Sequence, residues 1–453
     1  MESKTKTVFE EIRRNVAGID LAWRADHYVC GPRLENGGYE IVSFGTTTPE
    51  LYRMLKWLQD RQVESVAIES TSIYWIPTAD LLESKGIEVV LVDAREVRMI
   101  TGRKSDVKDC QWLQRLHSCG LLRGAFRPAE TIAAVRTILR EKDTMTAMRV
   151  QSIQQMQKSL DQMNIRVHHA VSDIDGKTGT AIIKAIVEGE RDPFKLAMLR
   201  DKRCKKSVKE IADHLTGTWR VEHLFNLSQA FKTLQFLDER IAEYEFQASN
   251  MFQSISESDN TEESGNLPPE APQSKKQSAK ERTDTKGKAV LQKIMKFDLT
   301  LIPGIGYDTA AIIVSELGSK FDCFPDENHF ASYLGLVPSL GKSAGKNVRQ
   351  RRCKNTSRAG RALRQAASSL YRSSSELGAY FRNVARHTDR KTAVKATARR
   401  MAHMIFRGVK YGKEYVDRGS EAYEFRMREK ALKTVNRMIK SFSINNSEIV
   451  VCA

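Results

Sequence analysis

Apolar positions alternate in short blocks over the first quarter of the chain and then settle into a longer, helical period. Residues 14–130 read as strands and helices in turn. The run NVAGIDLAW, residues 15–23, is a short apolar strand. HYVCGPRLENGGYEIVSF, residues 27–44, predicts a hairpin turning at Asn36-Gly37-Gly38, where glycine supplies the positive φ of a tight turn. A helix is predicted from Thr48 to about Arg61, with Thr48 as N-cap and Pro49 at the first helical position. VESVAIES is the next strand, a helix runs through Trp75 to Lys85, and IEVVLVDA follows as a strand. A further helix starts near Ser105 and carries DVKDCQWLQRLHSCG.

From about Ala129 to Asn250 the strand signals disappear. Ile153, Met156, Leu160 and Met163 recur at steps of three and four, as do Leu227, Phe231 and Leu234. Long amphipathic helices forming a coiled-coil arm are predicted, with the Met and Leu stripe as a packing seam. Residues 252–287 are rich in Ser, Glu, Lys and Pro and nearly free of apolar side chains, which predicts a disordered linker or surface insertion. A compact module resumes at Leu291. Its Pro303-Gly304-Ile305-Gly306 turn between helical segments exposes backbone N–H groups that can hold a phosphate, as in helix-hairpin-helix DNA binders. The expected organisation is an α/β domain over 14–130 and a helical region over 131–250. A linker over 251–288, a mostly helical domain over 289–420 and a final helix and tail over 421–453 complete it. Three antiparallel strands followed by helix, strand, helix, strand and helix is the element order of the ribonuclease-H-like fold.

Composition narrows the function classes. The 453 residues suffice for two or three domains. No apolar run reaches the ~18 residues of a membrane span. The opening MESKTKTVFEEIRRN is charged and lacks an apolar core, so a cytoplasmic protein is expected. The formal net charge of +17 points to a polyanionic partner, most commonly nucleic acid. Seven cysteines with no CxxC pair indicate reduced thiols, with neither a disulfide framework nor a zinc finger.

Four carboxylates occupy positions where phosphodiester chemistry would need them. Asp20 lies in the first strand, Glu69 ends VAIE, and Asp106 and Asp109 share one helix in RKSDVKDCQ. A spacing of three puts the last two on one helical face. Two Mg²⁺ ions ~4 Å apart can stabilise attacking and leaving oxygens together, and Mg²⁺ prefers such hard oxygen ligands. Taken singly, each residue has an ordinary explanation: a strand-end turn, a solvated edge charge, or an acid favoured by a helix N-terminus.

Together with VAGIDLA, VAIESTSIYW and VVLVDAREVRMITG, the stretch RKSDVKDCQWLQRLHSCGLLRGAFRP resembles the DEDD transposases of the IS110 family of insertion sequences, which also includes the pilin-gene invertase. LTLIPGIGYDTAAIIVSELG, SYLGLVPSLGKSAGK, ALRQAASSLYRSSSELGAYFR and ATARRMAHMIFRGVKYGKEYVD resemble that family's C-terminal domain. The resemblance covers roughly 14–130 and 291–417. It implies a RuvC-like domain whose Asp-Glu-Asp-Asp tetrad is Asp20, Glu69, Asp106 and Asp109, binding Mg²⁺ or alternatively Mn²⁺. It also implies a nucleophilic serine within Ser343-Ala344-Gly345-Lys346, after Gly335-Leu336-Val337-Pro338. Ala344 replaces a glycine of the family motif, and Ser339 is the alternative nucleophile. Tetrad and serine lie more than 200 residues apart, so a composite site formed between subunits is expected, in a dimer or tetramer.

The resemblance further implies a non-coding guide (bridge) RNA that pairs with donor and target double-stranded DNA. The basic residues Lys342, Lys346, Arg349, Arg351, Arg352, Lys354 and Arg358 suit phosphates of either nucleic acid, as do Gly304 and Gly306 through their backbone. No helix-turn-helix or zinc finger is recognisable to read base edges. Three competitors remain: a stand-alone junction-resolving nuclease, a non-catalytic nucleic-acid-binding relic, and an actin-like kinase. The serine-bearing second half, the intact acids and the absence of a duplicated Gly-rich hairpin count against them in turn.

Overall fold

The apolar strand VAGID becomes the centre of a five-stranded sheet. The computed structural model describes residues 10–22, 25–70, 72–93, 106–171, 173–204, 206–258, 279–319, 321–337, 340–343, 346–349, 357–412 and 419–441. The chain divides into two units, Met1–Arg127 and Pro128–Ala453.

In the first unit the strands are β1 (Val16–Asp20), β2 (His27–Arg33), β3 (Tyr39–Phe44), β4 (Ser65–Glu69) and β5 (Glu88–Val92), in spatial order β3-β2-β1-β4-β5. β1, β2 and β3 are antiparallel neighbours, and β4 and β5 run parallel to β1. Parallel neighbours need a crossover, which α1 (Thr48–Asp60) and α2 (Trp75–Ser84) provide. The β2–β3 turn falls at the expected place: Gly37 has φ of 81° and Gly38 N–H donates to Asn36 Oδ1 at 2.9 Å. The N-cap of α1 is Thr47 rather than Thr48, one residue earlier than predicted.

Strand alternation sorts the sheet into two faces. Ala17, Ile19, Val66 and Ile68 pack with Leu51, Met54, Leu55 and Leu58 of α1. The opposite parity faces α3 (Asp106–Ser118), where Ala67 and Val92 pack with Leu113. Beyond α3 the chain returns along β5, and Ala125 N–H donates to Leu91 C=O at 2.6 Å. Arg127 then pairs with Asp80 and Glu83 of α2, and its guanidinium lies 4.9 Å from the Trp75 ring centroid.

The described part of the second unit is helical apart from one hairpin. α4 (Glu130–Gln162) packs along α9 (Val221–Ser258). Between them lie four short helices: α5 (Val167–Ala170), α6 (Lys177–Glu188), α7 (Pro193–Met198) and α8 (Val208–Leu215). The predicted stripe of Met156, Leu160 and Met163 is buried, but largely against this insertion. Its partners are Ile182, Ile183 and Ile186 of α6, Leu196 of α7, and Ile211 and Leu215 of α8, together with Leu227, Phe231 and Leu234.

α10 (Ala279–Met295), α11 (Tyr307–Leu317) and α12 (Glu327–Tyr333) follow. The expected linker is therefore shorter than predicted. α9 runs on to Ser258, anchored by buried Phe252, and α10 already begins at Ala279, with the good helix formers Ala-Lys-Glu-Arg first. The remainder of the predicted linker, residues 259–278, lies outside the described residues. The chain continues through strands β6 (Leu340–Ser343) and β7 (Lys346–Arg349), then α13 (Arg358–Ser369), α14 (Glu376–His387), α15 (Arg390–Tyr411) and α16 (Gly419–Ser441). Phe321, Phe324, Phe330 and Phe406 form an aromatic cluster joining α12 to α15. Among the described residues no helix is long and apolar enough to cross a membrane.

Candidate active site

Strand parity decides where the predicted carboxylates go. Asp20 ends β1 with the parity of Gly18, and Glu69 ends β4 with the parity of Ala67, so both belong to the face covered by α3. β1 and β4 are parallel neighbours with Ile19 opposite Ile68, which places Asp20 beside Glu69 at the C-terminal edge. Adjacent strands lie about 4.8 Å apart. The helix over this face is the one that carries Asp106 and Asp109.

Gly18 lets that helix descend to contact. A Cβ at this position would stand 2.3 Å from Cys110 C=O and 2.4 Å from Gln114 N, both backbone atoms of α3. No side chain fits between strand and helix there. The buried Cys110 thiol responds to the charge nearby: its pKa is pushed up to about 12, first by burial and then by the Asp20 carboxylate, with Asp109 adding to it.

Asp20, Glu69 and Asp109 are thus drawn to one edge, while Asp106 starts α3 with its side chain outside the described part. All four are hard oxygen donors of the type Mg²⁺ accepts. Among the described residues no three His, Cys, Asp or Glu side chains come close enough to hold an ion together. Donor chemistry fits the metal, and a closed cage is not drawn by these residues alone.

A second polar pair lies elsewhere in this sheet. Ser65 Oγ and His117 Nε2 are 2.8 Å apart and buried. Burial, and secondarily the Arg13 charge, lower the His117 pKa to about 4 against an opposing effect of Glu88. Ser65 starts β4 whereas Glu69 ends it, so the pair sits at the far end of the strand and serves packing.

Ser343 is the last residue of β6, paired across the hairpin with Lys346, the first of β7. Nothing in the sequence marks these two strands. Lys342 pairs with Asn347, and Arg349 with Leu340. Ser339, Arg351, Arg352 and Lys354 lie outside the described residues. The stretch leaves from Leu336 and returns at Ser357, and these ends are tied: Ser357 Oγ donates to Leu334 C=O at 3.4 Å and accepts from Gly360 N–H at 3.0 Å, capping α13.

Arg358, expected among the phosphate contacts, is instead turned inward. Its side chain is 9% exposed and meets Glu316 at 3.4 Å, Asp143 at 2.7 Å and Leu139 C=O at 3.0 Å. Glu316, 8% exposed, also takes Arg140 at 2.9 Å and Arg136 at 3.3 Å. Burial acts to raise the Glu316 pKa, but Arg140, Arg136 and Arg358 outweigh it and hold the carboxyl below its ordinary value. This clasp joins α4, α11 and α13. Its basic residues were legible as charge, but their acid partner was not.

Gly304 is likewise taken up by packing: at φ of 90°, a Cβ there would stand 2.9 Å from Ala366 C=O of α13. This close helix contact requires glycine at 304 and does not bear on the phosphate contact expected of its backbone. At Gly306, the N-cap of α11, nothing lies within 4 Å of an added Cβ.

Comparison with known families agrees with both halves. A family described as DEDD transposase of the IS110 type matches residues 17–165, from β1 beyond the end of α4. A second, described as transposase of the IS116/IS110/IS902 family, matches residues 298–382, which include the β6–β7 hairpin and, of the clasp, Glu316 and Arg358. No curated protein matches the chain.

Proposed function

This chain belongs to the IS110 family of DEDD transposases and is a DNA transposase, and on that premise we propose that it mobilises its own insertion sequence as a site-specific recombinase using Mg²⁺ and serine chemistry. The observation that carries this reading is the position of Asp20 and Glu69 at the ends of neighbouring parallel strands, on the face crossed by the helix of Asp106 and Asp109. The strand order β3-β2-β1-β4-β5, antiparallel then parallel, supports a RuvC-like fold for residues 14–130. The long pair α4 and α9 supports the reading of a helical arm through which a dimer or tetramer assembles.

Asp20, Glu69, Asp106 and Asp109 would hold Mg²⁺ or Mn²⁺, which when bound neutralises charge building on the scissile phosphate. Ser343 supplies the nucleophile. Its Oγ bonds to phosphorus as the P–O bond to deoxyribose breaks, and the hydroxyl proton ends on the departing oxygen. The phosphoserine bond keeps the energy of the original ester, so the reverse step rejoins strands without ATP. A serine hydroxyl needs activation to do this. Lys342 and Lys346 on the same hairpin can hold phosphates through charge. Guidance by a non-coding bridge RNA is supported by the net charge of +17 and by the lack of a recognisable base-reading motif.

The test is strand exchange between donor and target plasmids with the element's flanking RNA co-expressed. Wild type is expected to recombine, and Asp106→Ala and Ser343→Ala to be inactive. A denaturation-resistant DNA adduct should form only when Ser343 is present. Normal recombination by Ser343→Ala would remove the serine from the mechanism, and cleavage without strand transfer would favour a nuclease.

A further inference from the structure

The insertion between α4 and α9 carries a cluster that the chemistry above does not use. His168 and His169 lie on α5, and their ring centroids are 4.3 Å apart. His214 on α8 stacks on His169 at 5.8 Å with an interplanar angle of 25°. Lys206, in the segment before α8, donates its ammonium to His169 C=O, and Arg166 precedes α5. His168 and His169 are exposed. This is an open ladder of imidazoles flanked by two permanent cations.

The acids facing it are few and already engaged. Asp161 of α4 takes Arg166 at 3.1 Å and His168 at 3.6 Å. Glu210 of α8 closes a capping box with Ser207. Gln157 of α4 meets His168 Nδ1 but carries no charge. At Glu316 one buried carboxylate is shared by three guanidinium groups, with Asp143 beside Arg358. Here Arg166 and Lys206 are matched by Asp161 and Glu210 while the imidazoles are neutral, and each proton the histidines take up adds a charge at the surface with no acid of its own. The His169 pKa is lowered by His168 first, then by desolvation, His214, Lys206 and Arg166. Such crowding costs free energy unless an external polyanion relieves it.

We infer that His168, His169 and His214, with Arg166 and Lys206, form a nucleic-acid contact that grips the phosphodiester backbone. It rests on the reading of this chain as a nucleic-acid enzyme and adds a second holding point, on the helical insertion. Phosphates beside the ladder favour the imidazolium forms, so binding takes up protons from solvent. Affinity therefore rises as pH falls and is lost as pH rises past the imidazole range. Exposed imidazole rings also stack on unpaired bases, so both single-stranded RNA and duplex DNA are to be tested.

The experiment measures binding of the full chain to fluorescent single-stranded RNA and duplex DNA of equal length and random sequence, across pH and salt. Wild type is expected to bind about tenfold more tightly near pH 6 than near pH 8. His168→Gln/His169→Gln/His214→Gln should lose that pH dependence and lower the salt slope by about one to two, with unchanged circular dichroism. His168→Lys/His169→Lys, charged at both positions at every pH tested, should bind more tightly than wild type near pH 8 and with a weaker pH dependence, since His214 remains. The probe that responds identifies the strand held there. A triple Gln variant that keeps the wild-type pH dependence on both probes overturns the proposal, as does a Lys variant no tighter than wild type near pH 8. If wild type bound neither probe, the nucleic-acid reading would fall with it. Strand exchange by wild type tests that reading independently.

Discussion

The two units hold their functional candidates by different physical means. In the first, Asp20 and Glu69 sit on strands buried inside a sheet, and the helix bearing Asp109 rests directly on Gly18. In the second, Ser343 stands on a short hairpin whose return end enters a clasp of ions, Glu316 with Arg136, Arg140 and Arg358. Close packing at Gly18 tolerates little change of shape and has no charge of its own to lose. An ionic clasp tolerates shape but depends on its charges.

The largest expected effect breaks the clasp. Glu316→Gln keeps the shape and removes the buried acid that Arg136, Arg140 and Arg358 share, leaving the buried Arg358 with Asp143 alone, at a cost of about 4 kcal/mol. Chemical denaturation should show it, together with a loss of strand exchange. The folded pKa of Glu316 is below its unfolded value. Its contribution is therefore present above the unfolded pKa and lost as pH falls through the lower folded value. The variant should lack that acid loss.

Packing is the next point of attack. Gly18→Ala drives a Cβ into the backbone of α3 and is expected to cost about 3 kcal/mol, with loss of recombination but no change in acid response. Recombination at the wild-type rate with unchanged unfolding would show that strand and helix separate freely.

The smallest effect sharpens the comparison by pH. His117 is neutral when folded, with its pKa lowered from 6.5 to about 4. Between those values the unfolded chain binds the extra proton, so stability is present above 6.5 and lost as pH falls toward 4. The loss should reach about 2 kcal/mol once solvent screening is allowed for. Urea midpoints should fall over that window in wild type and flatten in His117→Gln.

Much of the first unit was legible in the chain. Alternation exposed all five strands, and Asn36-Gly37-Gly38 marked its turn, because each depends on neighbours a few residues away. The same parity rule carries Asp20 and Glu69 to the α3 face. The second unit resisted for the opposite reason. LGKS and KNVR are four-residue strands without an apolar face, so nothing local announces them. The helices between Met163 and Trp219 are too short to show a repeat, and their buried Ile and Leu find partners only in the fold. The end of α9 and start of α10 read as linker because their composition is polar, while a few buried residues such as Phe252 and Leu291 anchor the two helices. Arg358 shows the limit most plainly: its charge promised a phosphate, and its partner lay 42 residues away in sequence.

The return of the chain along β5 has a consequence for solubility. A strand at the margin of a sheet offers unpaired amide and carbonyl groups to any other chain that meets it. Ala125 occupies Leu91 C=O, and the Arg127 pairs with Asp80 and Glu83 staple that segment to α2. The segment therefore works as a guard rail that blocks edge-to-edge aggregation. The natural place to separate the first unit from the second lies after Arg127, since a cut at Gly120 would lay that margin bare.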